Sequence, residues 1–141
     1  MKRLLLISCM AFMSSLAGIC PPARVIFIPL YDPVMPYEEL WNAVCQVESG
    51  NDPLRYNKKE NAVGVAQIRQ PMLTDFNRKT GNHLTLKQMY NRHRSKSVFY
   101  WHCSRYRPDQ IEQIARSWNG GKSGIKKHST KEYYKKVLKF L

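Results

Sequence analysis

Apolar positions recur at helical spacing from Pro36 to the end of the chain. Leu40, Val44 and Val47 form one stripe, flanked by Trp41, Cys45 and Glu48 at i, i+4 and i+7, and this predicts an amphipathic helix. Pro36 suits its first turn, and Glu38 and Glu39 suit its positive end. Gly50 closes the helix, and Asn51-Asp52-Pro53 reads as a turn capped by Asp52. From Asn57 to Ile68 the chain is too polar and too broken by Gly64 for a long helix. A loop or short hairpin ending in Val63-Gly64-Val65-Ala66-Gln67-Ile68 is expected instead. Further helices are expected at Pro71–Lys79, Leu84–Tyr106, Pro108–Trp118 and Thr130–Leu141. The helix over 108–118 is the clearest, with Ile111, Ile114, Ala115 and Trp118 on one face and Gly120-Gly121 after its end. No internal repeat breaks the pattern. The fold class is mainly α, a single domain over 36–141.

The N-terminus follows a different logic. Lys2 and Arg3 precede the apolar run Leu4 to Phe12, and Ser15-Leu16-Ala17 supplies small residues at the cleavage positions, so 1–17 reads as a signal peptide. The bland alternative is a buried first helix. A lipoprotein signal fits less well, because the apolar stretch before Cys9 is short and Ile19 precedes Cys20. Residues 18–35 form a Pro-rich lead-in around the apolar run Val25-Ile26-Phe27-Ile28. Beyond the signal, no apolar stretch reaches the roughly 20 residues of a spanning helix. The expected location is therefore periplasmic or secreted.

The chain of 141 residues carries 23 Lys and Arg against 10 Asp and Glu, a formal charge of +13. Removal of 1–17 takes Lys2 and Arg3 and no acid, leaving 21 basic residues against 10 acidic ones. With 43 % hydrophobic residues, a disordered or low-complexity chain is excluded. Export leaves Cys20, Cys45 and Cys103. One disulfide between Cys45 and Cys103, with Cys20 spare, and three buried thiols are the alternatives. There is no Cys-x-x-Cys, and His83, His93, His102 and His128 are scattered, so neither a metal nor another cofactor is expected.

Glu48 is the most informative residue. It lies in the last turn of the first helix on the stripe with Trp41 and Cys45, where apolar surroundings and the negative helix end both raise a carboxyl pKa. Such a group can protonate a leaving oxygen. A solvated Glu paired with a neighbouring Lys or Arg is the competing reading. Around it run Val47-Glu48-Ser49-Gly50-Asn51-Asp52-Pro53, Asn61-Ala62-Val63-Gly64-Val65-Ala66-Gln67-Ile68, Ala115-Arg116-Ser117-Trp118-Asn119-Gly120-Gly121 and Thr130-Lys131-Glu132-Tyr133-Tyr134-Lys135-Lys136-Val137.

These four motifs, in this order from Tyr37 to Val137, resemble the lytic transglycosylase (SLT, lysozyme-like) family, which carries Glu-Ser, Gly-Leu-Met-Gln, Ala-Tyr-Asn and a late Tyr at similar separations. The resemblance implies a lysozyme-like domain with a short loop or hairpin after the catalytic helix. It also implies cleavage of the MurNAc–GlcNAc β-1,4 bond of peptidoglycan. By the same resemblance Glu48 matches the acid/base, Ser49 a substrate-contacting hydroxyl, and Gly64 and Gln67 the loop lining the saccharide groove. Trp118 and Asn119 match the Tyr-Asn pair, and Tyr133 the late Tyr near the carboxyl group. Two positions depart. Ala66 stands for a Met that packs on sugar, and Trp118 for a Tyr, which retains an aromatic wall without its hydroxyl.

Most glycosidases use two carboxyl groups. Asp52, Glu60 and Asp75 are the candidates for a second one here. The resemblance implies a one-carboxyl route, in which Glu48 protonates the glycosidic oxygen and then deprotonates the C6 hydroxyl to close a 1,6-anhydro ring. Muramidase-type hydrolysis is the alternative. Charge opens another class: twenty basic residues lie between Arg55 and Lys139, interleaved with Tyr56, Tyr90, Tyr100, Trp101 and Tyr106. That pattern suits a nucleic-acid binder, a solvated face, or attraction to an anionic wall. For an exported chain the wall is the expected partner, with no specific nucleic acid. A non-catalytic glycan-binding module is kept open by Ala66 and Trp118. The partners expected are glycan strands, met by a monomer. Wall remodelling, passage of a secretion or conjugation apparatus, and attack on a competitor would all use the same cleavage.

Overall fold

The computed structural model describes residues 37–141. The segments expected to be a signal peptide (1–17) and a Pro-rich lead-in (18–35), with Pro36, lie outside the described residues. Helix α1 spans Glu38–Ser49, followed by three two-residue strands, β1 (Tyr56–Asn57), β2 (Ala62–Val63) and β3 (Ile68–Arg69). Helices α2 (Gln70–Thr80), α3 (Arg92–Cys103), α4 (Ile111–Gly120) and α5 (His128–Val137) complete the main elements. Short 3₁₀ turns lie at Leu86–Tyr90, Gly124–Lys126 and Leu138–Phe140. The domain is mainly helical. No helix among the described residues is long and apolar enough to cross a membrane.

Helix α1 starts with Glu38 and Glu39 in its first turn and stops at Gly50, whose φ of 69° lies in the left-handed region. The Gly50 and Asn51 amides return to the carbonyls of Gln46 and Cys45. Glu38 also reaches across to α3, where it meets Lys96 at 2.6 Å and accepts a hydrogen bond from Tyr100. The expected turn follows, with Asp52 Oδ1 accepting from the Leu54 amide at 2.8 Å. The hairpin is an antiparallel three-stranded sheet in the order β1-β2-β3, with Val63 opposite Tyr56 on one side and Ile68 on the other. Ala62, Val63, Val65, Ala66 and Ile68 all point their bulk into the core.

The single helix expected over Leu84–Tyr106 is instead two elements. Asn91 breaks it: with φ −76° and ψ 116° it leaves helical geometry, and its side chain caps α3 by accepting from the Arg94 amide at 3.1 Å. Upstream, Thr85 and Gln88 form a reciprocal capping box around the 3₁₀ turn, which drives Met89 into the core. Residues 91–97 are all polar, and this gap in the apolar pattern coincides with the break. The helix expected over 108–118 begins at Ile111 and runs to Gly120, and that over 130–141 begins at His128 and yields to a 3₁₀ turn after Val137.

Trp41, Phe99 and Trp118 stack through the centre at 5.3 and 5.0 Å, joining α1, α3 and α4, and His102 lies edge-on to Trp118 at 5.3 Å. Helix α5 packs on α4 and on α1. Cys45 and Cys103 are both free and wholly buried, so the disulfide alternative for this pair is set aside. Each thiol fills core volume on its own helix. Cys20 lies outside the described residues.

Candidate active site

The C-terminal turn of α1, the sheet, the end of α4 and the middle of α5 meet around Glu48. Because Glu48 sits one turn after Cys45, its side chain leaves α1 on the core side and surfaces between β3 and α4. A small depression there is lined by Glu48, Glu60, Gln67, Arg69, Trp118 and Asn119, among others. Tyr133 reaches it from α5 and donates its hydroxyl to Glu48 Oε1 at 2.9 Å. Burial pushes the Glu48 carboxyl up to about 7, against the lowering pull of the Tyr133 hydrogen bond and the Arg69 charge. The Tyr133 hydroxyl is itself held protonated by burial and by the neighbouring Glu48 charge. A carboxyl poised near neutrality, with a fixed phenol on one oxygen, can give a proton and take one back.

Gln67 lies in the left-handed region at φ 50°, a strained conformation for a residue with a side chain. Its amide nitrogen donates to the carbonyls of Gly64 at 2.9 Å and Arg55 at 3.3 Å. Those bonds occupy the donor and leave the amide oxygen as the group it can offer the cleft. Arg69 clasps the opposite lip, donating to the Asn119 carbonyl at 2.8 Å while lying 3.6 Å from Glu60. Motif reading missed Arg69 because it is one cation among many in the chain.

The remaining expected residues divide. Glu48, Gln67, Trp118, Asn119 and Tyr133 come together. Ser49 and Gly64 are not among the residues that line the depression. The Ser49 hydroxyl lies 2.7 Å from the Val65 carbonyl and 3.2 Å from that of Cys45, fastening the loop to α1. Gly64 is buried behind the loop, its Cα against the Met89 carbonyl. Ala66 is buried in the core, so no cleft-facing side chain is lost there. Trp118 is only 4 % exposed, its ring held in the aromatic stack with just an edge on the cleft. Of the possible second carboxylates, Glu60 alone shares the depression with Glu48. Asp52 caps its turn, and Asp75 is held by Arg78 at 2.8 Å.

A second cluster has the residue types of a nucleophilic pair. His102 Nε2 lies 2.9 Å from Ser117 Oγ. Its Nδ1 faces the Arg105 guanidinium, which can only donate. Nδ1 is therefore the acceptor and Nε2 carries the hydrogen, so His102 cannot take a proton from Ser117. Ser117 instead donates to the Ile114 carbonyl at 3.0 Å. Burial and the Arg105 charge lower the His102 pKa to about 3. The pair ties α3 to α4. In the unfolded chain His102 regains an ordinary pKa near 6.5 and binds a proton that the fold refuses. Stability is expected to fall as pH drops below about 6.5, by ~2 to 3 kcal/mol near pH 4.5, and His102→Gln should flatten that limb in urea titrations. An unchanged acid limb would remove His102 as its source.

Compared with known proteins, the chain matches no family model, no curated protein and no solved structure. Among the described residues no three His, Cys, Asp or Glu side chains converge as a metal site requires.

Proposed function

We propose that this chain is an exported peptidoglycan-cleaving enzyme of the lytic transglycosylase type, with a lysozyme-like domain acting on the MurNAc–GlcNAc β-1,4 bond. The observation that carries the reading is the Glu48–Tyr133 pair in a cleft, with the carboxyl pushed up to about 7. Protonated Glu48 gives its proton to the glycosidic oxygen as the bond breaks. The resulting carboxylate, steadied by Tyr133, takes the C6 hydroxyl proton while that oxygen attacks C1 of the same sugar. The proton count closes without water, and no metal or organic cofactor enters. Muramidase-type hydrolysis is the second reading, with Glu60 as the base that would orient water. Its exposed position and its Arg69 partner favour the one-carboxyl route.

Mass spectrometry of products from purified peptidoglycan tests both points. Anhydro ends, lighter than reducing ends by one water, support the proposal. Reducing ends move it to hydrolysis, and no released muropeptides overturn it. Tyr133→Phe is expected to slow cleavage about tenfold through loss of one hydrogen bond to a charged group. Because that bond lowers the Glu48 pKa, its loss should move the alkaline fall of kcat/KM to higher pH. A slower enzyme with an unmoved pH profile would separate Tyr133 from Glu48.

A further inference from the structure

Beside the Glu48 depression lies a larger cleft of about 400 Å³ that shares Arg69, Met72, Trp118 and Asn119 with it. Its rim carries Arg69, Arg105, Lys122 and Lys127, and no carboxylate lines it. The nearest acids are engaged at the margins: Glu60 with Arg69 at 3.6 Å, and Asp75 with Arg78 at 2.8 Å and Arg105 at 3.6 Å. Lys127 donates only to the neutral Gly120 carbonyl, at 2.8 Å. Lys122 is exposed and makes no ion pair within 4.0 Å among the described residues, although its charge helps to lower the Asp75 carboxyl pKa after Arg78. The lining between them is mixed, with Pro71, Met72, Tyr106 and the edge of Trp118 beside His102, Ser117 and Asn119. Cations around a partly apolar lining suit a short acidic peptide, whose carboxylates are separated by aliphatic links. A single-stranded nucleic acid would instead call for several open stacking faces, and here the Trp118 face is packed away in the core, leaving Tyr106 as the half-buried phenol ring in the lining.

We propose that this cleft is an anion subsite that seats the carboxylate-bearing peptide substituent of the sugar next to the scissile bond. The proposal rests on the peptidoglycan reading for the identity of its ligand, while the cation-rimmed cleft does not. Lys122 and Lys127 engage the free carboxylates from the outer rim, and Arg69 couples the subsite to the Glu48 depression. The cleft thereby selects strands that carry acidic stems over stripped or amidated ones.

The direct test is calorimetric titration of the full chain with N-acetyl-L-Ala-γ-D-Glu-L-Lys at low salt, against the same tripeptide with both carboxyls amidated. The free acid is expected to bind about tenfold more tightly, the sum of two exposed charge pairs. Lys122→Glu should remove about half of that preference on a logarithmic scale, and Lys122→Arg should restore it. Lys122 lies on the surface, so its substitution does not threaten folding. Equal binding of acid and amide, or indifference to Lys122→Glu, would overturn the subsite. An oligothymidylate displacing the tripeptide with greater affinity would overturn it in favour of a phosphate site. Cleavage assays separate the two proposals. Wild type that binds the acid peptide but releases no muropeptides retains the subsite and loses the enzyme. Wild type that cleaves stem-bearing and stripped glycan with the same kcat/KM retains the enzyme and loses the subsite.

Discussion

Glu48→Gln is expected to abolish glycan cleavage and, at pH 8, to raise the melting temperature. Loss of rate follows from chemistry: the amide has nearly the shape of the acid, accepts the Tyr133 hydroxyl at the same place, and has no proton to give. A loss of at least 10²–10⁴-fold, on the order typical of general acid catalysis, is expected. Gain of stability follows from linkage. The folded carboxyl sits at about 7 against an ordinary 4.5, so the fold holds a proton that the unfolded chain releases. Native stability therefore declines as pH rises from about 4.5 to about 7 and stays reduced above that, by ~3 kcal/mol in full. Gln carries no such penalty. Melting temperatures of the two proteins should agree near pH 4.5 and separate above pH 7, the variant standing higher. The His102 acid limb is common to both and cancels in the difference. Retained activity within about threefold would move the acid elsewhere, and identical melting curves at pH 8 would deny that Glu48 is held in an unfavourable setting.

Gly64→Ala should destabilise the domain by about 3 kcal/mol, roughly three times the loss from Gly50→Ala. Both glycines sit in the left-handed region, at φ 78° and 69°, so both substitutions carry the same backbone strain. They differ in what a methyl group would meet. At Gly50 nothing lies within 4 Å, whereas at Gly64 the new Cβ would stand 2.2 Å from the Met89 carbonyl oxygen and 3.0 Å from its carbon. Both atoms are backbone, so relief requires either the strand loop or the 3₁₀ turn to move. The strand loop carries Gln67 and Ile68, and cleavage should fall along with stability. Urea unfolding of the pair decides it: equal losses would mean that the close approach is not rigid.

The sequence made α1 and the position of Glu48 readable because one short segment contains the whole signal. Acidic first turn, apolar stripe, glycine stop and Asx turn all follow from neighbours within four residues, and Glu48 inherits its position from that stripe. Tyr133 needed the family likeness, since nothing local to α5 says that its hydroxyl crosses 85 residues of sequence to Glu48. Ser49, Gly64 and Ala66 share motifs with cleft residues, yet each faces the other way. The run 62–66 is buried without alternation, so the local pattern does not say which residues meet the cleft, and the tertiary contacts with Val65 and Met89 decide it. The break at Asn91 is written in a capping residue and in the wholly polar run 91–97. Arg69 and the His102–Ser117–Arg105 cluster join distant elements, and spacing along a chain carries no record of such meetings.

The two buried thiols set the redox terms on which the folded domain persists. Burial pushes both Cys45 and Cys103 up to about 12, so at neutral pH almost none of either exists as the thiolate that reacts with oxidants or disulfides. Neither side chain has surface to offer a reagent. Once folded, the helical core therefore holds two thiols with no disulfide between them and no access for a reagent. Once formed, the same core should keep both thiols reduced in a reducing cytosol and in an oxidising envelope alike.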